Sequence, residues 1–249
     1  METESSIFLL IVAPFIGSFL GVVIERLPTG RSVIFGRSMC DGCGRRLGVL
    51  DLIPVISWVR SGGRCRHCGV WLGWFYPAIE LAALAIAGWA LFAVPIQLAW
   101  ATAALGWTLL ALAEIDRRHL LLPDALTLPL LLAGLGVAAW YPEMRLIDHL
   151  LGAALGFAGL WLLAAAYQRL RGREGLGQGD AKLFAAAGAW LGWQGLASVL
   201  LIGAASGLAW TLVRNLMGHG KPPTEPIGFG PFLALGTWLT WIWGPLGPL

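Results

Sequence analysis

The four cysteines of this chain fall in one segment, as Cys40-Asp41-Gly42-Cys43 and Cys65-Arg66-His67-Cys68. A C-x-x-C pair folds into a knuckle that turns two thiolates toward one metal ion. Two knuckles complete a tetrahedral four-sulfur site, which suits zinc. Gly42, Gly44 and Gly69 offer the backbone freedom that knuckle turns use. Disulfides or idle thiols are the competing readings, and His67 could replace one cysteine. A reducing compartment disfavours disulfides. Four protein ligands leave no open position, so the expected zinc is structural rather than catalytic.

A second set of reactive side chains is acidic. Glu80, Glu114, Asp116, Asp124, Asp148 and Asp180 lie within or beside apolar stretches. A carboxylate at the centre of a membrane span costs about 2.5–3.5 kcal/mol on insertion scales, which makes such residues functional candidates. Asp180 belongs to Gly177-Gln178-Gly179-Asp180-Ala181-Lys182, whose glycines let the backbone approach an extended peptide. The competing reading is a helix N-cap. Gly175, Gly177 and Gly179 lack the spacing of a dinucleotide fingerprint, and no strand precedes them. Asp116, in Glu114-Ile115-Asp116-Arg117-Arg118, could simply pair with a neighbouring arginine. Glu114 is two residues from it and so on another helix face. Asp124 follows Pro123 and reads as a cap.

Two carboxylates that converge can share a proton and activate water, as in aspartic proteases. Asp116 would sit near a helix C-terminus, where the dipole disfavours negative charge. Asp180 would sit near an N-terminus, which favours it. Asp116 is therefore expected to lean toward the acid role and Asp180 toward the base.

These groups need a scaffold, and the composition says which. Of the 249 residues, 57% are hydrophobic and only 12% charged, against roughly 25% charged in soluble domains. The balance excludes a disordered chain and argues for a bilayer as solvent. Stretches without Lys, Arg, Asp or Glu cover 7–24, 81–113, 125–141, 150–167, 183–213 and 227–249. A span needs about 20 residues. The second stretch therefore folds into a hairpin near Pro95, and the fifth breaks at Gly192-Trp193-Gln194-Gly195. The expectation is an all-α polytopic membrane protein of about eight transmembrane helices. Residues 1–24 form the first span, 25–76 a zinc-stapled loop domain and 77–249 a seven-helix core. Glu2 and Glu4 make the start acidic, unlike a signal peptide, so the first span is expected to be retained.

Eight alternating spans put every Lys and Arg except Arg145 on one side of the membrane, Arg173 and Lys221 included. That side is then cytoplasmic, with both termini periplasmic. The excess of positive charge is thus sorted by membrane side and does not point to nucleic acid.

The motifs together resemble the bacterial type IV prepilin peptidases, polytopic aspartic proteases of the G-x-G-D class, many of which also methylate the new N-terminus. The resemblance runs through Gly17-Ser18-Phe19-Leu20 and Arg26-Leu27-Pro28, the double C-x-x-C with Ile53-Pro54-Val55-Ile56-Ser57-Trp58 between its pairs, and Tyr76-Pro77-Ala78-Ile79-Glu80. It continues through Asp116 with Leu122-Pro123-Asp124, and through Gly177 to Leu183. It implies that Asp116 and Asp180 are the catalytic pair, with Gly177, Gly179, Lys182 and Asp124 positioning the loop or substrate. It implies a prepilin or pseudopilin substrate, cut on the cytoplasmic side of the inner membrane after a short basic leader. It also implies S-adenosylmethionine as methyl donor, with Glu80 the best single candidate for that site. The family usually has Asn where Gly21 stands, and a basic residue where Trp74-Phe75 precede the Tyr-Pro segment.

Three other readings compete: a peptidase without methyl transfer, a transporter and a zinc-stapled scaffold. Transporter sites usually lie at the midplane, whereas these acids cluster at one edge. A scaffold leaves the Gly-x-Gly-Asp segment without a purpose. The sequence sets no oligomeric state.

Overall fold

The computed structural model describes residues 2–40, 42–172, 177–218 and 227–246. Asp41, Arg173, Gly175, Lys221 and the end of the last predicted span, 247–249, lie outside them. The chain is helical: α1 (Glu2–Arg26), α2 (Ile56–Arg60), α3 (Phe75–Ala93), α4 (Ile96–His119), α5 (Asp124–Trp140), α6 (Leu146–Arg171), α7 (Gln178–Leu191), α8 (Leu196–Leu216) and α9 (Gly230–Trp243). Among the described residues the only β-pairing is two isolated bridges, Met39 with Arg46 and Arg64 with Trp71.

The breaks follow from local chemistry. Val94, held extended before Pro95 (φ −131°, ψ 158°), ends α3 as a residue before proline should. Gly192, at φ 73°, ends α7, and a turn at Trp193–Gly195 leads into α8. Helices α1, α3, α4, α6 and α8 are long and apolar enough to cross a membrane. Helix α5 has 17 residues, and α7 and α9 have 14 each. A 14-residue helix is about 21 Å long, short of a hydrocarbon core of about 30 Å.

The chain divides into two compact units, Met1–Trp107 and Thr108–Leu249. In the first, α1 packs on α3 through glycines. A Cβ on Gly17 would come within 2.6 Å of the Glu80 Cα, and one on Gly21 within 2.8 Å of the Tyr76 ring. Gly21, where the resembled family usually carries Asn, is thus matched to Tyr76. Trp107 Nε1 donates to the Ala83 carbonyl at 2.9 Å, and Trp100 Nε1 to Ser5 Oγ at 3.0 Å. The loop after α1 is drawn together by the Arg26 guanidinium, which donates to the carbonyls of Ser32, Gly36 and Arg37. Between Leu27 and Trp74 only Cys40, Pro54, Gly63 and Cys65 are buried among the described residues. Trp58 adds a small aromatic cluster with Trp71 and Trp74, at centroid distances of 5.5 and 4.1 Å.

In the second unit α7 is the central helix. Every residue from Leu183 to Trp190 is buried, as an all-round apolar helix requires. Small residues let its neighbours close in: Gly188 of α7 lies directly against the Gly152 backbone of α6. Trp190 Nε1 reaches across to the Leu130 carbonyl of α5 at 2.8 Å.

Candidate active site and metal centre

The starts of α5, α7 and α9 and the end of α4 meet at one end of the second unit. Asp116, in the last turns of α4, is 4% exposed. Its neighbours do not pair with it. Arg117 grips Glu114 through two bonds of 2.7 Å, and Arg118 Nε donates to the same carboxylate at 2.6 Å. Asp116 Oδ2 instead accepts the Gly230 N–H at 2.9 Å, from the first residue of α9. A Cβ on Gly230 would sit 2.7 Å from that oxygen, and one on Gly228 would sit closer still. Two glycines are what lets this backbone reach the carboxylate.

Asp180 is 8% exposed. It is the third residue of α7 rather than its cap. The cap is Gly177, whose N–H donates to Asp180 Oδ2 at 3.0 Å. Gly179 lies against the Leu122 side chain, 2.8 Å from where a Cβ would be. Lys182 Nζ donates to both oxygens of Asp124 at 2.6 and 2.8 Å, tying the start of α7 to the start of α5. The two buried aspartates lie near enough for the charge of Asp116 to act on Asp180. The structure thus brings Asp116, Asp124, Gly177, Gly179, Asp180 and Lys182 into one neighbourhood.

The dipole contrast between Asp116 and Asp180 holds only for the helices that carry them. In the fold each carboxylate has one oxygen held by a backbone N–H at a helix start, so the two environments are more alike than α4 and α7 alone suggest. Gly228 and Gly230 carry no reactive side chain, so residue type does not mark them as part of the site. The signal available was Gly228-Phe229-Gly230-Pro231 opening an apolar run, another glycine-rich turn with proline near a helix start.

The Lys182–Asp124 bridge is half in solvent, with side chains 31% and 54% exposed. Exposed pairs contribute about 0.2–1 kcal/mol. Lys182→Ala is therefore expected to lower the melting temperature by no more than a few degrees, read by thermal unfolding in detergent.

In the first unit the four cysteine sulfurs lie within 4.8 Å of one another. Each knuckle repeats one geometry. Gly44 N–H donates to the Cys40 carbonyl and Gly69 N–H to the Cys65 carbonyl, at 2.8 and 2.9 Å. Both glycines take positive φ, 65° and 70°. Tetrahedral coordination with zinc–sulfur bonds of about 2.3 Å separates sulfurs by about 3.8 Å. Cys40 Sγ and Cys68 Sγ are 3.7 Å apart, and no cysteine is disulfide-bonded. His67 is turned to Arg45 at 3.0 Å and lies outside the cluster. Backbone N–H groups of Cys68 and His67 directed at the Cys65 sulfur draw its thiol down to about 6. The Val70 N–H favours the Cys68 thiolate, but desolvation and neighbouring thiols prevail and push it up to about 12. Four thiols this close cannot all ionise by themselves, and a divalent cation would resolve the conflict.

Glu80 forms a separate feature of the first unit. It is 6% exposed, yet its partners are neutral: the Val55 N–H at 2.7 Å and the Ser18 side chain. Val55 has φ 58° and ψ −51°, an outlying conformation for a β-branched residue. It is the centre of a γ-turn of the rarer hand, with Ile56 N–H donating to the Pro54 carbonyl. Holding it costs on the order of 1–3 kcal/mol.

Comparison with known proteins follows the same division of the chain. Residues 11–94 match the bacterial peptidase A24 N-terminal domain, and residues 103–212 the type IV leader peptidase family. A protein of Burkholderia pseudomallei (strain 1026b) named prepilin leader peptidase/N-methyltransferase is 41% identical, over 95% of this chain and 85% of its own length. Proteins of the same name from Aeromonas hydrophila and Pseudomonas aeruginosa are 39% and 34% identical, each over 92% of this chain and 87% of their own length. No solved structure matches the chain.

Proposed function

The chain belongs to the type IV leader peptidase family, and on that footing we propose that it removes the leader of type IV prepilins or pseudopilins and methylates the new N-terminus. The observation that supports the peptidase reading is a pair of buried aspartates close enough for one charge to act on the other, each with one oxygen held by a backbone N–H. One carboxylate takes a proton from a water held between them. The water oxygen attacks the scissile carbonyl, and the other carboxylate delivers its proton to the developing oxyanion. Collapse of that intermediate expels the amine, which leaves with a proton from the pair. The Gly230 and Gly177 N–H groups orient the carboxylates and leave each with a second oxygen for this work. Gly179 and the Lys182–Asp124 bridge place the start of α7.

We read the protein as an eight-pass inner-membrane enzyme with periplasmic termini and its aspartates facing the cytoplasm. An apolar pilin helix can then stay in lipid while the polar leader reaches the aspartates. The short helices α7 and α9 suit that reading, because irregular backbone at membrane depth is tolerated where protein surrounds it. The cysteine cluster binds zinc: four sulfurs within 4.8 Å of one another on a loop with little buried core fit a structural ion. Cys40, Cys43, Cys65 and Cys68 would hold it.

S-adenosylmethionine, a sulfonium cation, would supply the methyl group. Glu80 fits such chemistry, being a buried carboxylate with only neutral partners. The loop from Cys40 to Cys68 fixes Val55, and through it Glu80, so the metal site and the methyl-transfer region belong to one folded unit.

Prepilin in detergent micelles, with the cleaved product followed by gel mobility, tests the peptidase reading. Gly230→Ala is expected to lower kcat about 10–100-fold with KM little changed. An ångström of displacement at a catalytic group has consequences on that scale. Gly228→Ala, whose Cβ would lie closer to the carboxylate, is expected to lose more. Full kcat in both variants would rule out the role assigned to the α9 start.

A further inference from the structure

We propose that the Glu80 carboxylate is the seat for the free α-ammonium group of the processed pilin, holding it and accepting its proton during methyl transfer. The inference rests on the methyltransferase reading above and assigns a residue and a ligand group to it. A carboxylate this deeply buried is ordinarily paired with a cation. Glu80 is 6% exposed and meets a backbone N–H and a hydroxyl-bearing side chain, both uncharged. A cationic group of a ligand would complete the site, and the amine that leader cleavage frees is such a group. Burial comparable to that of Asp116 and Asp180, at 4% and 8%, is what a group reached only by bound substrate should show.

The surroundings are built for this carboxylate. Gly17 on α1 lies against the Glu80 backbone, where a Cβ would come within 2.6 Å. Val55 is held at φ 58°, where a valine is strained, and in that conformation its N–H reaches Glu80 Oε2. Strain of this kind persists where the surrounding structure over-determines it, and it clusters at functional sites. The Val55 N–H and the Ser18 side chain hold the carboxylate without neutralising its charge. Glu80 takes one proton from the ammonium. The freed nitrogen lone pair forms the N–C bond, and the sulfur of the methyl donor keeps the S–C electron pair.

The alternative is a staple, in which Glu80 does no more than pin the 53–56 turn to α3. Glu80→Gln separates the two, because a glutamine oxygen still accepts the Val55 N–H while the negative charge is gone. The probe is a synthetic peptide with the sequence of a processed pilin N-terminus, made with a free and with an acetylated amino group. Its binding to full-length protein in detergent is followed by fluorescence anisotropy. Wild type is expected to bind the free form at least 10-fold more tightly than the acetylated one. Glu80→Gln should lose that preference, and its methylated product by mass spectrometry should fall more than 100-fold. Retained metal in the variant reports an intact loop. A wild type without preference for the free amine overturns the proposal whatever the variant does. So does a folded Glu80→Gln that keeps the preference. A wild type that prefers the free amine yet forms no methylated product would instead overturn the methyltransferase reading.

Discussion

Asp116→Ala and Asp180→Ala, made singly, are each expected to lower kcat for leader cleavage at least a thousandfold. General acid–base catalysis contributes about 10²–10⁴-fold. Here removal of either carboxylate leaves the other without a partner to share a proton or position the water. KM should change little, because the apolar helix of the substrate supplies binding that neither aspartate touches. The two variants are also expected to fold. Each truncation removes a buried carboxyl group hydrogen-bonded to a backbone N–H, at 2.9 Å for Asp116 and 3.0 Å for Asp180. The unpaired N–H left behind costs about 1–3 kcal/mol. Initial rates against prepilin concentration, with melting temperature beside them, check the expectation. A single variant within tenfold of wild type would remove that residue from the chemistry.

Loss of the metal has the second largest expected effect. Wild type should hold one zinc ion per chain, and Cys40→Ser or Cys68→Ser less than a tenth of that by elemental analysis. Binding of structural zinc is worth about 10–16 kcal/mol in small metal-folded peptides near neutral pH. Among the described residues only four between Leu27 and Trp74 are buried, so the metal is the main expected source of the loop's stability. Chelation is therefore expected to open the loop to proteolysis between the knuckles. It should also abolish methyl transfer, because Val55 lies between the knuckles and its N–H reaches Glu80 at 2.7 Å. Equal metal in wild type and both variants, or a loop that resists protease after chelation, would contradict the zinc reading.

Much of this was legible in the residues. Charge-free stretches located the long helices, Pro95 located the break between α3 and α4, and Gly192 the break after α7. Apolar runs and chain-breaking residues act locally, so they show in one dimension. Cysteine spacing was equally direct, because a knuckle is a local turn. What remained hidden is what depends on backbone brought from afar. Gly230 reaches Asp116 across 114 positions, and a backbone N–H has no side-chain signature. Arg117 and Arg118 could have paired with Asp116 as easily as with Glu114 on sequence alone. Helix geometry decides for Glu114, three and four residues away. Val55 is the sharpest case. A valine at positive φ contradicts its own propensity, and local rules fail most often where function overrides them.

The central claim is that Asp116 and Asp180 work as one pair, and comparison of single and double substitutions tests it most directly. Rates are to be measured for Asp116→Asn, Asp180→Asn and the two combined, with prepilin saturating. Residues that act as a unit are not additive, so the account predicts that all three proteins share the same low residual rate. If the two losses multiply in the double variant, or if either single variant cleaves near the wild-type rate, the aspartates do not form one catalytic unit.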